Sequence, residues 1–490
     1  MSLSRDGTKV LWPQPTDSPR DPQNWTDARK SIHLFIVTLA SIVPDFDSGI
    51  GIASIFRLAE QYNTTTGVIN NLTSKLVFFR LMRWGGIFAV LLIRRYGRLP
   101  VLFWSQVFAL GFLVGCTFAP NLATFAGMRC LTAFFGLTEP FSKGLYIVTD
   151  LYPFHLQARK LNFWTMGFIV SPFLSPFAFG FLVARQSWRW AYGIGCIYSA
   201  VVCVLIALFL DETMYDRTVK PIPEPPTSGF RCRIETLVGI TGIKMARYRV
   251  SWTESILSPI NVVWQPHLLG ILLFEGILFG FGIGINVTNA VFLGSPAPVW
   301  FGWSQDAIAG AYGTPILRSL VSVLLGEPIG WYTNDWIMNM SIRRNHGVFE
   351  AEGHERGCYI ALPLYICGFV TLSASIQNHL NTGAVIMGWG IAELAIMINT
   401  VAIYAYCNDC FPKHQGEIGA LINLARVLGG FAVAYFQVPW AEKHGALQTF
   451  GCEAAIVAGL FVLIIPAMQI YGRSLRVRRS YLWIFLTSPL

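Results

Sequence analysis

Apolar runs of about 20 residues, separated by short polar turns, recur along nearly the whole chain of 490 residues. A helix of that length spans a hydrocarbon layer about 30 Å thick, so each run is a candidate membrane span. Numbered along the chain, the spans are 31–56, 68–93, 101–119, 122–148, 161–184, 190–210, 267–292, 307–332, 359–376, 383–406, 416–440 and 450–471, each bounded to within a few residues. The pattern predicts an all-α membrane protein with twelve transmembrane helices.

One long polar interval divides the twelve spans into two sets of six. It runs from Asp211 to about Trp264 and is too charged and too rich in proline to enter a bilayer. We therefore expect two six-helix bundles, a cytoplasmic central loop and two cytoplasmic tails, of which the N-terminal one is disordered. The predicted boundaries are 1–30 for the N-terminal tail, 31–210 and 267–472 for the bundles, 211–266 for the loop and 473–490 for the C-terminal tail.

The composition supports a lipid environment, because 53% of the residues are hydrophobic and 13% are charged, against about 25% charged in soluble domains. With the N-terminus inside, the inner segments hold 25 of the 36 Lys and Arg residues and the outer loops hold 4. This asymmetry predicts that both termini are cytoplasmic. The net charge of +9 is spread over every inner loop, which argues against a nucleic-acid-binding face. The plasma membrane is favoured over an internal membrane.

A short repeat supports two related halves. The end of span 4 reads Asp150-Leu-Tyr-Pro-Phe-His155, and the end of span 10 reads Asp409-Cys-Phe-Pro-Lys-His414. Two bundles related by an axis along the membrane normal would place both copies on the same side of the membrane. The alternative is a pair of unrelated helix-stop signals, because Asp and Pro are common where helices end.

Several motifs resemble those of one family of membrane proteins. They are the Tyr96-Gly97-Arg98 turn, the arginine of Met128-Arg129-Cys130 in span 4, and the end of span 6, Leu210-Asp-Glu-Thr-Met-Tyr215. Together with the twelve spans and the long central loop, they resemble the major facilitator superfamily, and most closely its fungal branch of drug:proton antiporters and polyamine transporters. The resemblance implies secondary transport, and it implies that Arg129 is the arginine associated with proton coupling.

The turn after span 2 departs from the pattern of that family. The family has a Gly and an Asp at the places where this chain has Val90 and Arg94. The inner-gate turn, formed by Arg94, Arg95, Gly97 and Arg98, therefore contains no acid for the inter-helix latch that the resemblance implies. We expect this gate to be held differently, or loosely.

Ionisable side chains inside the spans are the candidate chemistry of the first half. A charge at the centre of a membrane helix costs about 2.5 to 3.5 kcal/mol, so such groups normally face the bundle interior. In span 1, Asp45 and Asp47 point about 200° apart, and we favour Asp47 as the functional carboxylate over two structural aspartates. In span 4, Arg129 is expected to need an acid partner, and Glu139 and Lys143 are spaced to neutralise each other.

Span 2 is unusual because it carries three cations, Lys75, Arg80 and Arg83, within about 140° of arc. They form an anion site or a charge-paired gate, or they form a structural ion-pair seam with acids of other spans. An artefact in this stretch of the sequence is the third reading.

Three buried acids, Glu275, Glu327 and Glu393, are the candidate proton carriers of the second half. Buried carboxyl groups with perturbed protonation are typical of proton-coupled sites, whereas ion-paired or neutral glutamates are structural, and Arg318 and Arg426 are available as partners. The candidates for lining a substrate site are residues with aromatic or amide side chains: Asn286, Asn289, Trp389, Tyr404 and Asn423. Helix-interface packing is the alternative role of these residues.

Other motifs argue against several kinds of site. Cys407 and Cys410 form a lone C-x-x-C pair, so no metal site is expected. No Walker-type phosphate loop occurs, so we expect no ATP-driven pump, no cofactor and no enzymatic activity. Asn63, followed by two threonines in the first outer loop, is a glycosylation candidate, and Asn71 is a weaker one because it lies close to the bilayer.

The sequence as a whole favours proton-coupled export of an amphipathic organic compound, such as a drug, toxin or secondary metabolite, by alternating access between the two bundles. Import of polyamines or other organic cations is the first alternative. A non-transporting membrane sensor on the same fold is the second. The expected partners are a small organic substrate, protons and the lipid bilayer, and a monomer is expected.

Overall fold

The computed structural model describes residues 13–72, 85–137, 144–215, 229–295, 300–313, 355–411 and 415–487. Its helices are α1 (Asp27–Ala53), α2 (Ile55–Gln61), α3 (Thr66–Leu72), α4 (Gly85–Tyr96), α5 (Arg98–Thr117), α6 (Leu122–Leu137), α7 (Leu145–Leu151), α8 (Phe154–Arg185), α9 (Trp188–Phe209), α10 (Phe230–Val238), α11 (Ile240–Met245), α12 (Trp252–Val263), α13 (Pro266–Gly294), α14 (Arg356–Gln377), α15 (Thr382–Cys410), α16 (Gln415–His444) and α17 (Ala446–Thr487). Residues 305–313 are also helical. No strand occurs in these ranges, and the expected all-α class is confirmed.

The chain falls into two units, each with its own helices. Unit 1 comprises Met1–Pro259 and Gln305–Val323, and unit 2 comprises Ile260–Ser304 and Leu324–Leu490. Residues 305–313 belong to unit 1 and contact α1 there. The Gln305 side chain donates a hydrogen bond to the carbonyl oxygen of Ala53 at 2.9 Å. The predicted bundle boundaries, which place this segment in the second bundle, stay a prediction.

Seven helices in the described part of the chain are long and apolar enough to cross a membrane. They are Asp27–Ala53, Arg98–Thr117, Trp188–Phe209, Pro266–Gly294, Gly357–Gln377, Thr382–Cys407 and Ala446–Gly472, which correspond to predicted spans 1, 3, 6, 7, 9, 10 and 12. Predicted spans 5 and 11 form α8 and α16. Spans 2, 4 and 8 include residues outside the described ranges.

In unit 1, α1 packs closely against α8 because small side chains lie where the two helices meet. A Cβ atom on Gly49 would lie 2.6 Å from the Cβ of Ser175. The Ser175 hydroxyl donates a hydrogen bond to the carbonyl oxygen of Phe46 at 2.6 Å. Small residues allow such close approach in membranes, where packing rather than the hydrophobic effect brings helices together. The contact positions the stretch of α1 that carries Asp47.

In unit 2, the backbones of α13 and α16 touch. A Cβ atom on Gly429 would overlap the carbonyl oxygen of Gly276, and one on Gly280 would lie 2.5 Å from the carbonyl carbon of Gly429. These three glycines form a contact that larger residues would prevent. Gly276 follows Glu275 directly, so the close approach brings the Glu275 carboxylate within reach of side chains on α16.

The described part of the polar interval after α9 contains three α-helices, α10, α11 and α12. The Arg233 side chain donates to the carbonyl oxygen of Ala207 at 3.0 Å and pairs with Asp211 at 3.1 Å. The Trp104 indole donates to the carbonyl oxygen of Val238 at 3.3 Å. These contacts hold α10 against α5 and the end of α9 in unit 1.

Both predicted tails contain described structure, and their boundaries stay a prediction. Residues 13–26 are ordered around Asp21, whose carboxylate accepts the backbone N–H groups of Thr16 at 3.0 Å and Gln23 at 3.1 Å. Arg29 pairs with Asp211 at 2.7 Å, which ties this segment to the end of α9. At the other terminus, α17 continues through the predicted C-terminal tail to Thr487. Side-chain contacts with distant residues, which no local pattern encodes, order the N-terminal segment.

Candidate proton and substrate sites

Arg129 is buried in unit 1 and binds the backbone of α1. Its two terminal nitrogens donate hydrogen bonds to the carbonyl oxygens of Asp47 at 2.7 Å and Ser48 at 2.9 Å. A Cβ atom at Gly51 would lie 2.7 Å from Nη2 of Arg129, so glycine leaves the space that the guanidinium occupies. The sequence predicts an acid partner for this arginine. The structure shows carbonyl partners, which are invisible in a sequence because every residue has one.

The two aspartates of α1 occupy different surroundings, as their spacing predicts. Asp47 is 3% exposed, and a Cβ on Gly195 of α9 would lie 3.3 Å from its Oδ1. Asp45 is half-buried and forms no ion pair within the described ranges. The Arg129 guanidinium lies 5.8 Å from the centre of the buried Tyr192 ring. One buried region of unit 1 therefore contains a carboxyl group, a guanidinium and a phenol, which belong to Asp47, Arg129 and Tyr192.

The inner-gate turn of unit 1 is held by acids from other helices. Gly97 has a φ of 104°, which favours glycine, and a Cβ there would overlap the Glu212 carboxylate. That carboxylate accepts the backbone N–H of Arg98 at 3.0 Å and of Leu99 at 3.1 Å, and the Arg98 side chain forms an ion pair with Asp150. Acids from Glu212 and Asp150 thus contact the turn in this structure, and its role as a gate stays a prediction.

The other two arginines of the turn lie in the last turn of α4. The Arg95 side chain donates to the carbonyl oxygen of Val250 at 3.2 Å, and Arg249 donates back to the carbonyl oxygen of Arg95 at 3.1 Å. The central interval therefore contributes to the turn, together with the end of α9.

In unit 2, Glu275 and Arg426 form a buried ion pair in which Glu275 is 0% and Arg426 1% exposed. Nε of Arg426 donates to Oε1 of Glu275 at 2.8 Å, and Nη2 contacts the same oxygen. Thr400 donates to Oε1 at 3.2 Å and Asn399 donates to Oε2 at 3.0 Å. Every oxygen of the carboxylate has a donor, which is the condition under which a buried pair is tolerated.

Two aromatic rings complete the surroundings of Arg426. Its guanidinium lies 4.3 Å from the centre of the Phe279 ring and 4.9 Å from that of Tyr404. Aromatic faces attract cations most strongly where water is excluded. Of the two roles that the sequence leaves open for Glu275, the geometry shows the ion-paired one in this conformation.

The remaining predicted residues of unit 2 lie on α13, α15 and α16. Trp389 is buried and interacts with Glu393, one turn later on α15, and Glu393 has no ion-pair partner in the described ranges. Asn286 is buried on α13 and Asn423 is half-buried on α16. Asn289 is 1% exposed, and neither polar atom of its amide has a hydrogen-bond partner among the described residues. A buried amide without a partner is costly, so its partner lies in another part of the chain, in water or in a substrate.

Several predicted site residues fall outside the described residues. They are Glu139 and Glu327, together with the cations that could pair with them: Lys75, Arg80, Arg83, Lys143 and Arg318. The side chain of the weaker glycosylation candidate, Asn71, is also outside the description, whereas Asn63 is exposed between α2 and α3. Within the described ranges, no three His, Cys, Asp or Glu residues come together as a metal site would require.

The predicted set omits Glu453, a buried acid of predicted span 12. Glu453 on α17 is 0% exposed, and the Gln437 amide of α16 donates to its two oxygens at 3.1 and 3.0 Å. The signal was available, because Glu453 is the sole acidic residue of predicted span 12. A single carboxyl group within an apolar span needs a buried partner or a proton.

Comparison with known proteins decides the family. A sequence model described as Major Facilitator Superfamily matches residues 37–434. The chain belongs to the major facilitator superfamily. The expectation from the sequence motifs is confirmed, and the chain is a multi-pass membrane protein of a transporter family rather than an enzyme.

Similar members of the superfamily include fungal proteins of low identity. The MFS transporter fsa7 of Fusarium sp. (strain FN080326) is 27% identical over 279 residues, which cover 56% of this chain and 53% of that protein. The match thus spans about half the length of that relative. The efflux pump radE of Floropilus chiversii is 21% identical over 478 residues, covering 96% of this chain and 85% of the pump.

A solved structure shares the superfamily fold. The peptide transporter POT, crystallised in complex with sulfate, superposes with a TM-score of 0.60 over 90% of this chain and 95% of that one. The two sequences are 14% identical, so the likeness shows the fold alone.

Proposed function

We propose that this member of the superfamily is a monomeric, proton-coupled secondary transporter of the plasma membrane that exports an amphipathic organic compound by alternating access. The observation that carries the proposal is the buried Asp47 of α1, held beside the guanidinium of Arg129. Ionisable groups placed inside membrane helices mark proton and substrate pathways. The name of the similar radE protein, an efflux pump, supports the outward direction.

The coupling step follows from charge. Arg129 binds the carbonyl oxygens of Asp47 and Ser48, so an ionised Asp47 adds negative charge to the place where the guanidinium sits. Binding of a proton to Asp47 removes that charge and weakens the hold of Arg129 on α1. A proton arriving from one side therefore loosens a contact between α1 and α6, and its departure restores the contact.

Side chains of unit 2 support the proposed substrate class. Trp389 offers an aromatic face and Asn289 offers an amide with no partner among the described residues, while Glu393 offers a carboxyl group without an ion pair there. Apolar surface with a few polar groups suits an amphipathic organic molecule.

Import of a polyamine is the second candidate, and one observation favours it. Asp45 in unit 1 and Glu393 in unit 2 have no cation beside them in the part of the chain that the structure describes. Carboxylates of this kind could pair with the amines of a substrate. Glu212 and Asp150 supply acids to the inner-gate turn, which weakens one argument for the sensor alternative, whereas the cations of span 2 lie outside the described residues.

The test is flux in vesicles that contain the purified full chain and carry an imposed proton gradient. Labelled azoles and lipophilic dyes serve as export probes, and labelled spermidine serves as the polyamine probe. We expect the gradient to drive a dye or azole against its concentration, and we expect Asp47→Asn to lose this drive. Asp17→Asn, an exposed aspartate of the N-terminal segment, is the matched control and should transport normally.

Three outcomes would overturn the proposal. The first is flux that ignores the gradient, and the second is a driven flux that survives in Asp47→Asn. Spermidine uptake with no export of the other probes would replace the first candidate with the second.

A further inference from the structure

Glu453 is buried with no cation beside it in the described part of the chain. It is 0% exposed and forms no ion pair with any Lys, Arg or His of the described residues. The groups that face it are the Thr288 network on α13, the phenol of Tyr365 on α14 and the Gln437 amide on α16, and none of these is a cation. An isolated carboxylate is disfavoured in such a place, so the binding of a proton is favoured there relative to water.

A chain of three side chains surrounds this carboxyl group. Nε2 of Gln437 lies 3.1 and 3.0 Å from the two oxygens of Glu453. Oε1 of Gln437 lies 2.7 Å from the hydroxyl oxygen of Thr288, which also lies 2.7 Å from the carbonyl oxygen of Gly284. The chain joins α17 to α16 and α16 to α13.

Counting hydrogen atoms shows that the chain has two complete arrangements. The Thr288 hydroxyl has one hydrogen but faces two oxygens at the same distance, so it can donate to only one of them. With the Gln437 amide oriented as above, Thr288 donates to Gln437, and the amide N–H donates to an ionised Glu453.

The second arrangement reverses the amide, whose oxygen and nitrogen have nearly the same shape. Nε2 of Gln437 then donates to Thr288, and Thr288 donates to the carbonyl oxygen of Gly284. The amide oxygen now faces Glu453 and accepts a hydrogen bond only if Glu453 carries a proton. The ionised Glu453 therefore fits the first orientation of Gln437, and a protonated Glu453 that donates to the amide oxygen fits the second, with the Thr288 hydroxyl turned to match.

We propose that Glu453 is a proton-binding site and that the Gln437 amide reverses whenever this proton binds or leaves. On binding, a proton from water joins one carboxylate oxygen, the amide turns its oxygen towards the new O–H group, and the Thr288 hydroxyl turns from Gln437 to Gly284. On release, the same steps run backwards. No bond other than the O–H bond forms or breaks.

The site is placed to act on the ion pair of unit 2. Thr288 and Gln437 lie on the helices that carry Glu275 and Arg426, at about 20 Å and about 16 Å further along their axes. Proton binding at Glu453 therefore changes a hydrogen bond between α13 and α16. The same two helices carry the Glu275–Arg426 ion pair further along their axes. Only the action of the proton on this ion pair rests on the proposed transport function.

Infrared difference spectroscopy of the reconstituted full chain tests the site. We expect a carbonyl band of a protonated carboxyl group that declines as the pH is raised. The band should be missing in Glu453→Gln, whose amide keeps the shape of the protonated acid. It should remain in Glu60→Gln, a 74% exposed glutamate that serves as the control. Gln437→Leu removes the amide and should shift the frequency and the titration of the band without abolishing it.

Each other outcome would overturn the proposal. If Glu453→Gln loses none of the carbonyl bands of the parent, no proton binds at Glu453. If the lost band never changes with pH in the parent, Glu453 is a permanently protonated structural glutamate. If Glu453→Gln does not fold, an unshifted band in Gln437→Leu contradicts the proposal in its place. The infrared band does not depend on flux. A pH-dependent band of Glu453 would therefore support the proton site even if the vesicles showed no proton-driven transport. Proton-driven transport without this band would support the proposed function and contradict the proton site.

Discussion

The Glu212 carboxylate accepts the backbone N–H groups of Arg98 and Leu99, at 3.0 and 3.1 Å, and caps the helix that begins at Arg98. The first N–H groups of a helix have no partner within the helix and carry a partial positive charge, so an acid stabilises them. Here the acid comes from the segment just after α9, 114 residues later in the chain. The cap thereby connects two membrane helices of unit 1 at the inner-gate turn.

Removal of this cap should destabilise unit 1. We expect Glu212→Ala to cost about 1 kcal/mol, the usual effect of losing a capping side chain, measured by thermal unfolding of the solubilised protein. Glu254→Ala, at an exposed glutamate of α12, is the control and should stay close to the parent. Equal melting temperatures for the two variants would show that Glu212 contributes nothing as a cap.

Replacement of Gly51 by alanine should displace the Arg129 guanidinium, whereas replacement of Gly127 should displace nothing. A Cβ at Gly51 would lie 2.7 Å from Nη2 of Arg129, whereas one at Gly127, two residues from Arg129 on α6, would meet nothing within 4 Å. We expect Gly51→Ala to cost about 1 to 3 kcal/mol by overpacking and to impair flux. Gly127→Ala should be neutral or stabilise by up to about 1 kcal/mol, because alanine is the better helix former. Thermal unfolding and vesicle flux check both variants, and a Gly51→Ala variant that matches the parent in both would contradict the placement of Arg129.

The Glu275–Arg426 pair should behave as one unit. Either Glu275→Gln or Arg426→Gln leaves a buried polar group without its partner, and for a buried pair this costs about 3 to 5 kcal/mol. The double variant removes both charges and should cost clearly less than the sum of the two single effects. Unfolding free energies of the four proteins complete the cycle. Additive effects would show that the two side chains do not interact.

Asn63 should carry a glycan if the loop between α2 and α3 faces outward. Its side chain is exposed and its φ of 48° marks a turn, where a glycosylation sequence is accessible. In a eukaryotic host, Asn63→Gln should abolish the mobility shift that glycosidase treatment produces. Asn24→Gln should leave the shift intact, because Asn24 is predicted to be cytoplasmic and its amide donates to the carbonyl oxygens of Thr16 and Ser18. A shift that depends on Asn24 would invert the predicted topology.

The sequence by itself determined the helical class and the places of the described membrane spans. Span 7, predicted at 267–292, is the helix Pro266–Gly294, and span 10, predicted at 383–406, lies within Thr382–Cys410. The reason is that a lipid layer offers no hydrogen bonds to the backbone, so an apolar run of sufficient length must form a helix. Family membership was also predicted from the sequence, because short motifs such as the turn at Gly97 are recognised without a structure.

Only the tertiary structure decided which groups meet. Arg129 binds carbonyl oxygens 81 and 82 residues away, Arg426 binds a carboxylate 151 residues away, and Glu212 reaches Arg98 across 114 residues. Spacing along one helix sets the face on which a side chain lies, but it does not set which other helix covers that face. That choice depends on close contacts such as Gly276 with Gly429, where two backbones touch because neither position has a side chain.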